Sequence, residues 1–386
     1  MKVLHVYRTY LPDSYGGIEQ AIFQLCLGTT RRGVENHIVY LSDRRRVKIE
    51  QRPEGKVYRL PKDFEIASTG ISSSLLRHFK LIADRVDIIN YHFPWPFGDV
   101  LHLLTASAKP AVITYHSDII RQKKLAYLYR PLMKWFLSNV RSIIATSPNY
   151  FATSSILKRY QEKVRIIPIG LDEKSYPDVS AERVDYFQNI VGRDFFLFIG
   201  VLRYYKGLHI LLDAIRSTNL PVVIVGAGLI EKELKAKAKR EGISNVHFFG
   251  YLPDEDKVAL LSLCKALVFP SHMRAEAFGV SLLEGAMFGK PLISCDIGTG
   301  CSYINLDGVT GLVVAPGDAK ALRNAMIWMK THPDACEKMG GNARERFEQL
   351  FTADITTPQY MELYSEVLNK AGLAPAKNQT ELEQNA

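Results

Sequence analysis

Short apolar runs rich in β-branched and aromatic residues recur through the first half of the chain. They are KVLHVY from Lys2, HIVYL from His37, VDIINY from Val86, AVITYH from Ala111, SIIATS from Ser142 and VRIIPIG from Val164. Helix-like intervals separate several of them. The runs are continuous instead of cleanly alternating, which predicts strands of a mostly parallel sheet with helices on both faces. A second set follows: FFLFIGVL, PVVIVGAG, VHFFGYL, ALVFPS, PLISCDIG and GLVVAP, separated by amphipathic stretches such as IEKELKAKAKREG and DEDKVALLSLC. Between the two sets lies the polar passage DEKSYPDVSAERVDYFQNIVGRD, which contains Pro177 and is read as the linker. The pattern predicts an α/β protein of two Rossmann-like βαβ domains facing each other across a cleft. The expected boundaries are residues 1–180 and 181–352, a helix over 353–372 packing across the domains, and a flexible tail at 373–386.

Composition sharpens this. An apolar fraction of 47% and a charged fraction of 23% over 386 residues exclude a collagen-like, coiled-coil or globally disordered chain. Forty-nine Lys and Arg against 40 Asp and Glu favour anionic partners. The five cysteines form no CxxC pair and read as thiols of a reducing compartment. No run approaches the roughly 20 apolar residues of a membrane helix. The expected location is cytoplasmic, with any membrane contact peripheral.

Parallel α/β domains bind ligands at the C-terminal ends of their strands. After the first run comes RTYLPDSYGGIEQ, where Gly16 and Gly17 let backbone amides approach phosphate or sugar oxygens at a helix start, or form an ordinary turn. It is not the dinucleotide GxGxxG, which follows its strand at once. His116, in TYHSDI, stands at a strand end as a cleft donor or acceptor, or as a loop tie. His92 opens the aromatic stretch NYHFPWPFGD, able to stack on a sugar face or to close the core. Between Arg121 and Arg141 six basic residues occur with no acid, among them Lys123, Lys124, Arg130 and Lys134, and Tyr127, Tyr129, Trp135 and Phe136 interleave. Such a segment rests on an anionic bilayer or forms a solvated basic helix. Nucleic acid is not expected, because no binding motif accompanies the charge.

In the second half, GVLRYYKG places Arg203 and Lys206 beyond a strand, suited to a departing diphosphate where no metal is bound, or to capping the next helix. No DxD pair occurs in the setting of a manganese-dependent transferase, so no metal and no cofactor is expected. Gly226 ends another strand in VVIVGAG, where small residues allow close nucleotide approach. The strongest signal is SHMRAEAFGVSLLEGAMFGKP, with Glu276 and Glu284 flanking Phe278, Gly279 and Val280 at a helix start. First-turn amides suit the donor phosphate, and a carboxylate suits neutral hydroxyls. This assigns Glu276 to the transferred sugar and Glu284 to ribose, against the plainer reading of an acidic structural helix.

At these residues the chain resembles family 4 of the retaining, nucleotide-sugar-dependent glycosyltransferases with the GT-B architecture, over nearly its whole length. The resemblance implies a donor-sugar contact at Glu276, a ribose ligand at Glu284, a glycine-rich loop at Gly16 and Gly17, and a donor-facing His116. The family's GRLxxxKG is GVLRYYKG here: Lys206 matches, Val201 occupies the arginine position, and Arg203 is the substitute. Thr299, between Gly298 and Gly300, falls where the family meets the donor base or ribose. More narrowly, YHSDI, RYYKG, EAFGV and DIGTGCSYIN resemble bacterial O-polysaccharide mannosyltransferases. That resemblance implies GDP-mannose as donor, a polyprenyl-diphosphate-linked glycan as acceptor, and lipopolysaccharide O-antigen synthesis at the inner face of the plasma membrane, beside other assembly enzymes. His116, Lys206 and Glu276 are the expected catalytic set. Arg121, Lys123, Lys124, His92 and Trp135 are the expected acceptor- or membrane-facing set. A transferase using UDP-glucose or UDP-N-acetylglucosamine, a nucleotide-sugar epimerase and a non-catalytic membrane scaffold are the competing readings.

Overall fold

The computed structural model describes residues 1–67, 69–105, 109–119 and 123–373. The chain begins with β1 (Lys2–Val6), α1 (Gly17–Thr30) and β2 (Glu35–Ser42). A hairpin follows, β3 (Lys48–Arg52) with β4 (Gly55–Pro61), then the small pair β5 (Phe64–Ile66) and β6 (Thr69–Ile71). Next come α2 (Ser73–Ala83), β7 (Ile88–Phe93), α3 (Pro96–Thr105), β8 (Ala111–Tyr115), α4 (Lys123–Asn139), β9 (Ser142–Ala145), α5 (Pro148–Thr153) and β10 (Val164–Ile166). The first sheet has the order β10-β9-β8-β7-β1-β2-β4-β3, parallel except for the β3–β4 hairpin at its edge. Serines cap the helices where the chain turns: Ser72 accepts from Leu75 N and Ser147 from Tyr150 N.

The second half continues with α6 (Ala181–Val191), β11 (Phe196–Ile199), α7 (Leu208–Ile215), β12 (Val222–Val225), α8 (Glu231–Arg240) and β13 (Val246–Gly250). It goes on through α9 (Asp254–Leu263), β14 (Ala266–Phe269), α10 (Val280–Met287), β15 (Leu292–Cys295), α11 (Cys301–Ile304) and β16 (Gly311–Val314). Three helices close the described chain: α12 (Ala319–Thr331), α13 (Pro333–Leu350) and α14 (Ala353–Lys370). The second sheet is wholly parallel, in the order β13-β12-β11-β14-β15-β16.

Each sheet reverses its strand order beside its first strand, between β1 and β7 and between β11 and β14. A crevice opens at such a reversal because the flanking helices leave to opposite faces. The helix α14 returns to the first sheet. Its residues Tyr360, Leu363, Tyr364, Val367 and Leu368, at helical spacing, are buried with Val3, Ile88, Val112 and Ile144, each contributing roughly 1.5–3 kcal/mol by burial.

Two readings need correction. The hairpin β3–β4 and the pair β5–β6 lack the continuous apolar signature of buried parallel strands and were not among the predicted runs. The polar passage read as linker contains α6, whose Phe187 is buried in the second core and whose start is capped by Ser180. Its many polar residues cover the solvent face of a helix held by few apolar contacts.

Candidate active site

The loop leaving β11 and the loop leaving β14 meet at the second crevice. There Lys206 Nζ pairs with Glu276 Oε2, each side chain 11% exposed. The ammonium also sits 4.6 Å from the Phe269 ring centroid. Burial works against the Lys206 charge, yet Glu276 and then Tyr205 outweigh it, and its pKa ends above the usual lysine value. An isolated buried charge would be strongly unfavourable, so the two form a unit.

The helix α10 starts at Val280 after Gly279, whose φ of +95° is strained for any residue with a Cβ. Ser281 Oγ donates to Ile199 O at 2.7 Å, tying this helix start to the end of β11. Farther along α10, Glu284 accepts from Tyr176 OH at 3.0 Å and lies 3.9 Å from Lys257 Nζ. Burial pushes the Glu284 carboxyl up, while Lys257 and Tyr176 oppose the rise. The two glutamates therefore differ in setting: one is bound to an adjacent cation, the other is a buried acid against a phenol.

The remaining second-domain residues divide. Thr299 is fully buried, with no hydrogen-bond partner for Oγ1 among the described residues. Phe278 is buried and stacks edge-on to Phe351, so only its backbone is left for a ligand. Arg203 is exposed at the rim. At Gly226 a Cβ would collide with Gly200 O, so this glycine is required by the close approach of two strand ends.

In the first crevice the helix α1 starts at Gly17, capped by the backbone of Gly16, and a Cβ on Gly17 would lie 3.5 Å from Val280. The N-terminal ends of α1 and α10 thus converge across the cleft; that of α10 is open, while that of α1 carries the buried carboxylate of Glu19, which accepts from Thr9 and Ser14. His116 follows β8 and lines a small cavity with Gln24 of α1, Gly170 and Thr357 of α14. His92 is not on an acceptor-facing surface as expected. It is 2% exposed, bonded to His116 at 2.9 Å and to His5 at 3.1 Å. Its strand turns it inward, because residues of β7 alternate between the sheet's two faces.

The domains touch along a polar seam. Arg274 Nη1 donates to Thr153 Oγ1 at 2.7 Å and to Gly298 O at 3.0 Å, and its guanidinium lies 5.1 Å from the Tyr150 ring centroid. Tyr15 and Tyr251 meet across the mouth with ring centroids 4.6 Å apart and planes tilted by 42°. Arg274, Tyr176 and His5 carry this geometry and were missed in the sequence. A histidine inside the apolar run KVLHVY was the signal for His5, whereas Tyr176 sits in the polar passage with no pattern to mark it.

On the outer face, Arg121 and the side chains of Lys123 and Lys124 lie outside the described residues. In the rest of α4, Tyr127 is 71%, Leu128 76% and Trp135 36% exposed. Of the four interleaved aromatics, Phe136 is in the core and Tyr129 turns in to bond Asp99, so these two are not available to a bilayer. Among the described residues no helix is long and apolar enough to cross a membrane.

Two Rossmann-like sheets set against each other form the GT-B architecture. Solved structures share this fold. The Alr3699/HepE protein of Anabaena, in complex with UDP-glucose, superposes with a TM-score of 0.78 at 20% identity, covering 95% of this chain and 100% of the other. The sucrose-phosphate synthase of Thermosynechococcus elongatus gives 0.78 at 19% identity over 96% and 99%. Residues 15–175 match Glycosyltransferase Family 4 and residues 185–346 match Glycosyl transferases group 1. The chain is 55% identical to the D-rhamnosyltransferase WbpZ of Pseudomonas aeruginosa over 92% of this chain and 93% of that one. It is 50% identical to the O-antigen chain mannosyltransferase C of Escherichia coli over 95% and 99%. The chain belongs to glycosyltransferase family 4.

Proposed function

We propose that this glycosyltransferase moves mannose from GDP-mannose to a polyprenyl-diphosphate-linked glycan in O-polysaccharide assembly, with retention at the anomeric carbon. The single observation that carries the site is the buried Lys206–Glu276 pair beneath the converging starts of α1 and α10. In this reading Lys206, Arg203 and the amides of Gly279 and Val280 hold the diphosphate. Glu284 takes ribose and Thr299 lies toward the base or ribose. A ligand hydroxyl bonding to Glu276 leaves Lys206 free to balance the charge that grows on the leaving diphosphate. These positive groups supply the stabilisation that a divalent metal provides elsewhere, so transfer is expected to survive chelation. Attack comes from the leaving-phosphate face, and a phosphate oxygen takes the acceptor proton. His116 offers a neutral contact to the sugar, and closure of the cleft excludes water.

The similarity to the Escherichia coli mannosyltransferase supports mannose. The greater identity to WbpZ favours a second reading, transfer of a D-rhamnosyl group from its nucleotide. The exposed Tyr127, Leu128 and Trp135, beside Arg130 and Lys134, support contact with an anionic membrane where such an acceptor resides. The test is incubation of purified protein with GDP-mannose, GDP-D-rhamnose, UDP-glucose or UDP-N-acetylglucosamine and a polyprenyl-diphosphate glycan, read by product mass and anomeric NMR. An α-mannosyl product with chelator present is expected. An inverted linkage, or turnover of the donor to an epimer without acceptor, overturns the proposal.

A further inference from the structure

A row of buried polar side chains crosses four neighbouring strands of the first sheet: Asn36 on β2, His5 on β1, His92 on β7 and His116 after β8. Only His116 has a place in the function proposed above. We infer that Asn36, His5 and His92 are positioning residues that hold His116 in one tautomer, Nε2 protonated and Nδ1 left as a hydrogen-bond acceptor for a substrate hydroxyl. The inference rests on the glycosyltransferase reading only for whose hydroxyl that is.

The direction of the row is set at its inner end. Asn36 Nδ2 lies 2.9 Å from Cys26 O, a carbonyl that only accepts. It also lies 2.8 Å from the hydroxyl oxygens of Thr29 and Thr30. Those hydroxyls donate their own hydrogens elsewhere, Thr29 to Leu25 O at 2.8 Å and Thr30 to Glu54 O at 3.0 Å. The amide nitrogen is therefore the atom among these acceptors, and Oδ1 faces His5 Nε2 at 3.2 Å. An amide oxygen only accepts, so His5 carries its proton on Nε2.

Each following ring inherits this polarity. A neutral His5 has a bare Nδ1, which accepts from His92 Nε2 at 3.1 Å. A neutral His92 has a bare Nδ1, which accepts from His116 Nε2 at 2.9 Å. His116 then has its lone pair on Nδ1, a ring nitrogen with no protein partner among the described residues, and the side chain lines the small cavity bounded by α1, the Pro168–Gly170 segment and α14. Burial keeps the rings neutral, holding His5 down to about 4 and His116 down to about 3, with His92 also well below the usual value. The rings lie near-parallel and edge to edge, with centroids 5.4 Å apart for His5 and His92 and 5.2 Å apart for His92 and His116, as in-plane N–H···N bonds require. Reversing the row would put Asn36 Oδ1 against the carbonyl oxygen of Cys26 at 2.9 Å or leave two lone pairs facing each other at His5. The inner end is an amide and not a carboxylate, so nothing there stabilises an imidazolium. The row makes His116 an acceptor and not a base.

The test is a long-range ¹H–¹⁵N correlation spectrum of the full chain labelled in histidine, recorded at neutral pH without substrate and assigned by loss of signal in His116→Gln. A pyridine-type Nδ1 and a pyrrole-type Nε2 at His116 are expected. An Nδ1-protonated ring or an imidazolium there overturns the inference. His5→Phe keeps an aromatic ring at this place but removes the acceptor for His92. It should give mixed tautomers at His116 and raise the donor KM by about threefold to tenfold, the scale of one hydrogen bond, with kcat nearly unchanged. An unaltered His116 tautomer in a folded His5→Phe also overturns the inference, and if that variant fails to fold the wild-type spectrum decides. The spectrum needs no turnover, so absence of sugar transfer would sink the functional reading while leaving the tautomer result intact.

Discussion

The two crevices occupy equivalent places in two similar sheets and are furnished in opposite ways. At the end of β11 and β14 the second domain buries an ion pair, Lys206 with Glu276, beside a helix start. At the end of β1, β7 and β8 the first domain buries uncharged imidazoles, with Asn36 behind them. A buried charge is stable only with a partner, whereas neutral rings are satisfied by hydrogen bonds alone. The same topology thus yields one wall able to hold an anion and one able to meet hydroxyls, which is the division a transfer between a nucleotide sugar and a glycan requires. The outer surfaces differ too. The first domain exposes Tyr127 and Leu128 on α4, Leu104 on α3 and Leu81 on α2, helices that pack side by side. The second is laced with ion pairs such as Lys235–Glu231 and Lys237–Asp213.

The largest effect expected from breaking this contrast is at the ion pair. Lys206→Met should lower turnover by about 10²–10³-fold, the scale of one lost charge-stabilising contact. Because it strands Glu276, it should also cost roughly 3–5 kcal/mol in urea unfolding. The double variant Lys206→Met with Glu276→Leu should be more stable than either single one; equal or lower stability would show that the pair is not a unit.

At the seam between the lobes, Arg274→Ala removes the bonds to Thr153 and Gly298 and the stack on Tyr150. Steady-state kinetics should show about a tenfold loss in kcat/KM, as for loss of one charge-assisted contact, with the fold intact by circular dichroism. Unchanged kinetics would mean that the seam does not position the lobes.

Glu284 sharpens the electrostatic half. Its folded pKa is raised, so the protonated acid is the form the fold prefers, and its contribution is present below the ordinary glutamate pKa and lost as pH rises through the folded value. Glu284→Gln, which keeps an acceptor for Tyr176, should raise Tm at neutral pH, with the gain fading in acid, and should weaken nucleotide binding. A gain that persists in acid would contradict this assignment.

The smallest effect is expected at the surface. Leu128→Ser with Tyr127→Ser, both at well-exposed positions, should reduce sedimentation with anionic vesicles while changing stability by less than about 1 kcal/mol, as exposed sites do. Ile327→Ser, an exposed apolar position in the second domain, should leave sedimentation unchanged. Equal losses would erase the distinction between the two faces.

Much of the architecture was readable because buried parallel strands impose continuous apolar runs, and each of the twelve quoted runs coincides with a strand. The Glu276 to Glu284 segment was readable for a related reason: glycine before a helix and acids about it are local features. The hairpin β3–β4 escaped because an edge strand with exposed residues needs no apolar run. The helix α6 escaped because its residues are mostly polar, and Phe187 with the half-buried Val184 and Val191 is all it packs into the core.

Chain pattern alone determined the α/β class, the doubled unit and the neighbourhood of the second crevice, since helix starts, strand runs and their spacing are short-range properties. Which side chains answer one another was decided only by folding. Glu276 and Lys206 lie seventy positions apart, and Asn36, His5, His92 and His116 become neighbours only because β2, β1, β7 and β8 lie side by side in the sheet. Pairing across strands is set by sheet order and burial, and neither is encoded in the sequence around any one of these residues.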